Sequence, residues 1–303
     1  MNIIELSGVT KTFGSVVAVD NLSLDVPKGS IYGFIGPNGS GKTTTIRMIM
    51  KIMYPDRGSL LINGRKHDSR RLQNVGYLPE ERGLYKKMKI GELLMFHGEL
   101  NNGKDLKIKV DNWLEKLDLL EYKDKKVETL SKGMKQKLQF IATILHQPEI
   151  IILDEPFSGL DPVNAEIMKD VILDLQKKGA TIIFSTHDMS MAEMMCDYIF
   201  MIYQGKKVLD GTLSTIQDQY GNDTLRIQTE LGASALQGVS GIEKVNDFGK
   251  LQEIRVESGV DPQKILAELL KKTRISRFEL TKPSLNDIFI RIAAPERKEE
   301  NHG

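Results

Sequence analysis

Gly36-Pro37-Asn38-Gly39-Ser40-Gly41-Lys42-Thr43-Thr44 is the stretch on which the fold turns. It fits the phosphate-binding loop template of Gly, four residues, then Gly-Lys-Ser/Thr. The apolar run Ile31-Tyr32-Gly33-Phe34-Ile35 reads as a short buried strand leading into it, and Thr45-Ile46-Arg47-Met48-Ile49-Met50 starts a helix after it. Strand, glycine loop and helix in that order are the context the motif requires. The glycines let successive backbone N–H groups point into one concavity, and the helix N-terminus adds positive potential at the same place. Lys42 would reach the β- and γ-phosphates of a bound nucleotide, and Thr43 would offer its hydroxyl to Mg²⁺. A glycine turn with a chance lysine is the plainer reading, and the flanking elements argue against it.

Working outward, the 303 residues suffice for one large domain or two modest ones. A hydrophobic content of 40% and a charged content of 27% are those of a soluble globular chain. A formal net charge of +1 provides no global field for nucleic acid or an anionic membrane. The single cysteine, Cys196, excludes an internal disulfide and fits a reducing compartment. Met1-Asn2-Ile3-Ile4-Glu5-Leu6 lacks the pattern of a signal peptide, and no run approaches the roughly 18 apolar residues of a membrane span. The expectation is a chain that does not itself cross a bilayer.

Ile3–Leu6 and Ala18–Val26 alternate apolar and polar residues, as half-solvated antiparallel strands do. Ser59–Gly64 and Val75–Pro79 read as further strands. From Lys89 to about His146 the spacing turns helical, with Trp113 a core residue of that block. Ser131 is placed as the N-cap of a helix carrying Leu138, Ile141 and Leu145. Ile150-Ile151-Ile152-Leu153 is a strand buried on both faces, delivering Asp154 and Glu155 at its C-terminal end, where open α/β sheets bind ligands. A helix over Asn164–Lys178 leads to the strand Thr181–Ser185, which ends at His187, and a hairpin follows about Gly205. From Thr224 the pattern becomes β-α-β-β-α-β, a small ferredoxin-like module.

Asp154 is a hard oxygen donor suited to Mg²⁺, and Glu155 would orient or deprotonate an attacking water. A solvated acidic turn explains the pair poorly, because two carboxylates ending a buried strand need a cationic partner. His187 ends the neighbouring strand, within reach of a γ-phosphate.

Four stretches behind the phosphate loop carry a resemblance. Leu130-Ser131-Lys132-Gly133-Met134-Lys135-Gln136 resembles the signature motif of ATP-binding cassette (ABC) ATPases. Ile150–Pro156 resembles their Walker B strand, Ser158-Gly159-Leu160-Asp161 their D-loop, and His187 their switch histidine. The resemblance spans roughly the first 215 residues. It implies ATP and Mg²⁺ as ligands, held by Gly36, Asn38, Gly39, Ser40, Gly41, Lys42, Thr43 and Thr44, with Asp154 at the metal. It also implies a dimer in which Ser131, Gly133 and Asp161 meet the nucleotide bound by the other subunit, and an adenine-stacking role for Phe13. One position departs: Glu80 stands where the family usually has glutamine, and its carboxylate is expected to keep the metal-sensing role. Lys282–Phe289 is similar to the accessory domain of bacterial drug and sodium exporter ATPases.

The expected architecture is α/β: a P-loop core of ABC type, with a mixed sheet, an antiparallel β subdomain and an inserted helical subdomain at about 86–147. It covers 1–220, a ferredoxin-like α+β domain covers 221–293, and a disordered charged tail covers 294–303. The expected function is the ATP-hydrolysing subunit of an ABC exporter. It would be cytoplasmic and peripheral on the inner face of the cell membrane through a separate integral permease, paired with a second nucleotide-binding subunit, with no nucleic acid partner. The alternative is a soluble ABC ATPase acting on ribosomes or DNA.

Overall fold

A computed structural model describes residues 1–66, 74–81, 83–101, 105–220, 223–257 and 259–293. The expected tail, 294–303, lies outside the described residues, as do 102–104 and Arg82. The chain forms two compact units, Met1–Thr212 and Leu213–Gly303.

In the first unit, β1 (Asn2–Phe13) and β2 (Val16–Pro27) pair antiparallel. Alternation buries Leu22, Leu24 and Val26 while the residues between them face outward. The alternation expected over Ile3–Leu6 is broken at its start, where Ile3 and Ile4 are both buried beside a register shift between Asn2 and Ile4, and further shifts between Leu6 and Val9 let Val9 turn inward. β3 (Ile31–Ile35) is buried along its whole length and feeds the phosphate loop and α1 (Lys42–Ile49). β4 (Arg57–Ile62) and β5 (Arg65–Lys66) complete a four-stranded sheet of order β2-β1-β4-β5.

β6 (Val75–Leu78) precedes the helical block of α2 (Ile90–Leu100), α3 (Leu106–Lys116) and α4 (Lys132–Ile144). The chain then alternates through β7 (Ile150–Asp154), α5 (Pro162–Lys177), β8 (Thr181–Thr186), α6 (Met189–Met195), β9 (Tyr198–Tyr203) and β10 (Lys206–Gly211). The second sheet has the order β10-β9-β3-β8-β7-β6, parallel except for the edge hairpin β9–β10. Every residue of β3, β7 and β8 is buried, as expected for parallel strands covered on both faces. One core, with Leu22, Tyr32, Phe34, Ile46 and Phe200, fills the space beneath the antiparallel sheet. The other joins α2, α3, α4 and α5 to the parallel sheet through Leu93, Leu114, Ile141, Leu153 and Ile172.

This topology assembles the site. Parallel strands present their C-terminal ends on one side, so β3, β8 and β7 deliver their loops together. Ile35 is in register with Thr186, and Asp154 with Ser185.

The second unit begins with α7 (Leu213–Gln219), ahead of the expected boundary at 220. The reason is a set of long-range contacts: Gln217 Nε2 donates to Pro283 O at 2.9 Å, Lys282 pairs with Asp218 at 2.5 Å, and Ile216 is buried. β11 (Thr224–Thr229), β12 (Ile242–Asp247), β13 (Gln252–Val256), α8 (Pro262–Leu270), β14 (Ile275–Thr281) and α9 (Leu285–Ala293) follow. The sheet order β12-β13-β11-β14, antiparallel throughout, is the ferredoxin-like one. A 3₁₀ turn over Gly232–Leu236 replaces the first helix of that pattern. Leu225, Ile227, Ile254, Ile265 and Leu269 form its core. Among the described residues, no helix is long and apolar enough to cross a membrane.

Candidate active site

The loop between β3 and α1 is bent so that only glycine fits at two points. A Cβ on Gly36 would lie 2.2 Å from Ile202 O, and one on Gly41, at φ 110°, 2.6 Å from Ala18 O. Gly39, at φ 77°, faces open space instead. Lys42 opens α1 and is only 6% exposed. Its Nζ donates to Gly36 O at 2.6 Å and Pro37 O at 3.0 Å, so the ammonium is folded back on its own loop. Burial pushes its pKa down, and the charges of Glu155, Asp154 and Glu80 oppose that shift.

A cavity of about 200 Å³ lies above the loop, bordered by Asn38–Thr44, Ala18, Glu80, Asp154 and Glu155. Asp154 is 1% exposed. Its Oδ1 accepts from Ser185 Oγ, while its Oδ2 has no hydrogen-bond partner among the described residues. Ser40 Oγ is likewise buried without one. A buried carboxylate oxygen and a buried hydroxyl left unpaired are costly, and both are met by a divalent cation and a phosphate. No His, Cys, Asp or Glu trio among the described residues makes an ion site alone. Mg²⁺ fits this donor set, because it is held by one or two carboxylates and completes its octahedron with phosphate oxygens and water.

Glu155 sits at φ 50°, a left-handed conformation uncommon for a non-glycine residue. Its N–H reaches Ser185 O at 3.2 Å and Ser185 Oγ at 3.3 Å. Its Oε1 is 2.9 Å from His187 Nδ1. The carboxylate is mostly covered and the imidazole mostly exposed, at 14% and 66% of their side chains. A carboxylate so placed can accept a proton from a water in the cavity while the imidazole fixes its orientation.

The sequence-predicted residues divide into groups. Asn38–Thr44 of the phosphate loop, Asp154, Glu155 and Glu80 share the cavity, Gly36 lies outside its lining, and His187 joins them through Glu155. Phe13 does not border it. The ring is about half exposed, with Lys11 Nζ 5.7 Å from its centroid, and Lys11 is in turn held by Asp56 at 2.8 Å. Ser131, Gly133 and Asp161 do not border the cavity either. Ser131 Oγ caps α4 by accepting from Met134 N at 3.2 Å. Asp161 caps α5 by accepting from Asn164 N at 3.0 Å, and this bond lowers its carboxyl pKa. A Cβ on Gly133 would lie 3.4 Å from Gly159 O, so the start of α4 faces the loop before α5.

Sequence reasoning missed Ser185, which holds both Asp154 and Glu155. Its role depends on the register of β8 against β7, which no local pattern in the sequence signals.

Comparison with known proteins gives one answer over both units. The ABC transporter family profile matches residues 19–158, and that of the "ATP-binding protein DrrA1-3-like, C-terminal domain" matches 211–293. An uncharacterized ABC transporter ATP-binding protein, YhaQ of Bacillus subtilis, is 41% identical over 93% of this chain and 95% of its own length. A Nod factor export ATP-binding protein I of Burkholderia lata is 31% identical over 98% of each. A solved ATP binding subunit of an ABC transporter superposes with a TM-score of 0.69 at 29% identity, over 72% of this chain and 93% of that one.

Proposed function

This chain belongs to the ABC transporter family, and from that premise we propose that it is the motor of an exporter whose membrane-spanning permease is a separate protein. It is an ATP-binding, ATP-hydrolysing subunit. The observation that carries the catalytic reading is the mostly buried Glu155 carboxylate, bonded to His187 at the rim of the phosphate cavity.

Lys42, Ser40 and the loop N–H groups would hold the triphosphate, and Thr43, Asp154 and Glu80 would hold Mg²⁺. Mg²⁺ when bound neutralises phosphate charge. Glu155 accepts the proton of the attacking water, and His187 keeps that carboxylate turned toward the cavity. Ser131, Gly133 and Asp161, set away from the cavity of their own chain, act on the nucleotide of a second subunit, and Phe13 stacks on adenine. A groove of about 460 Å³, lined by Glu81, Leu84, His97 and Thr143, offers the permease a seat between β6 and the helical block. The export direction is supported by the DrrA-like C-terminal unit and by the Nod factor export relative. The working place is the cytoplasmic face of the membrane.

Membrane extraction in mild detergent is expected to recover the chain with one integral membrane protein that stimulates its ATPase. Recovery only with ribosomes or nucleic acid would sink the transport reading. Glu80 is testable separately. Glu80→Ala is expected to raise the Mg²⁺ concentration for half-maximal turnover about tenfold, or ~1.4 kcal/mol of metal affinity. An unchanged Mg²⁺ dependence removes Glu80 from the metal.

A further inference from the structure

Four polar side chains of α4 are buried, Gln136, Lys137, Gln139 and Thr143, and the first two are the most enclosed. Gln136 is 3% exposed and Lys137 4%, on a helix whose inward positions would ordinarily be apolar. Burying an amide and an ammonium is unfavourable unless each is bonded to something specific. Gln136 Nε2 donates to Pro156 O at 2.9 Å, and Pro156 is the buried residue directly after Glu155. Lys137 Nζ donates to Asn164 Oδ1 at 2.8 Å. Asn164 in turn donates through N and Nδ2 to the two carboxylate oxygens of Asp161, at 3.0 and 2.5 Å. Neighbouring residues of one helix therefore hold both ends of the loop from Glu155 to Asp161. Gly133, one turn earlier, faces Gly159 in its middle. Glu155 is in a left-handed conformation that must be held by its surroundings. Ser185 holds its N–H side, and Gln136 holds the far side.

We propose that Gln136 and Lys137 are positioning residues that fasten the Glu155–Asp161 loop to the first turns of α4, so that the aim of the Glu155 carboxylate follows the position of that helix. Both bonds act through the loop; neither side chain borders the cavity. A displacement of α4 then alters catalysis without altering the phosphate loop. This inference rests on Glu155 as the base.

The test uses the full-length chain and apolar replacements of similar size, Gln136→Leu and Lys137→Met. Asn164→Ala severs the Lys137–Asp161 link from a more exposed position should either core variant fail to fold. The expected result is a kcat at least tenfold lower with KM for ATP within twofold, and Lys137→Arg restoring most of the loss. In a Glu155→Gln background the same replacements are expected to add less than a twofold loss to the single-turnover rate, because no carboxylate is left to aim. A folded variant with unchanged kcat overturns the inference. So does an equal loss in both backgrounds, which marks a purely structural role. Full turnover in Glu155→Gln alone would instead overturn the reading of Glu155, and this inference with it.

Discussion

Glu155→Gln is expected to cut steady-state ATP turnover by at least about a hundredfold and to leave nucleotide affinity within a few-fold. A positioned general base contributes about 10²–10⁴ in rate. The amide keeps the size of the carboxylate and an oxygen that can face His187 Nδ1, now 2.9 Å from Glu155 Oε1. It loses the basicity. The groups proposed to hold phosphate, Lys42 and Ser40, are untouched, so ground-state binding is expected to survive while proton transfer does not. Phosphate release measured alongside equilibrium binding of ATP separates the two. If the nucleotide sits between two subunits, the variant should also accumulate as an ATP-stabilised dimer on gel filtration. Near-normal phosphate release would leave Glu155 without its role.

Lys42→Ala is expected to weaken ATP binding by a hundredfold or more, roughly 3 kcal/mol. The loss has two sources. The ammonium is the loop's cation, and charge-assisted bonds to phosphate are the strong ones. It is also a charge on which Asp154, Glu155 and Glu80 act, opposing the fall in its pKa. Without it those carboxylates repel the incoming phosphates with nothing to offset them. ATP should therefore no longer raise the melting temperature of the variant, because stabilisation by ligand scales with the logarithm of its concentration over Kd. A retained ATP-dependent shift of full size would contradict this account of the loop.

How much of this was legible before folding depends on the kind of signal. The phosphate loop, the Walker B-like strand and His187 are contiguous stretches whose chemistry stands in the letters themselves. Ser131 was readable as a cap because N-capping is a local event. Ser185 was not, because its role depends on β8 lying beside β7 in a register that no local pattern states. Gln136 and Lys137 were hidden for the opposite reason: in a helix rich in polar residues they pass for solvent-facing positions. The expected boundary at 220 fell after α7, because the partners that tie that helix to the second unit, Lys282 and Pro283, are more than sixty residues away. Phe13 was placed by the resemblance alone; its ring stands outside the phosphate cavity, which Ala18 lines.

β8 lies between the strand that ends in the phosphate loop and the strand that ends in the two acids. Cradle and acids are thus held two interstrand spacings apart, roughly 9.5 Å across the sheet. That interval is fixed by backbone pairing and cannot shrink to suit a smaller occupant. In the proposed binding mode, a nucleotide shorter by one phosphoryl would leave part of that span unbridged.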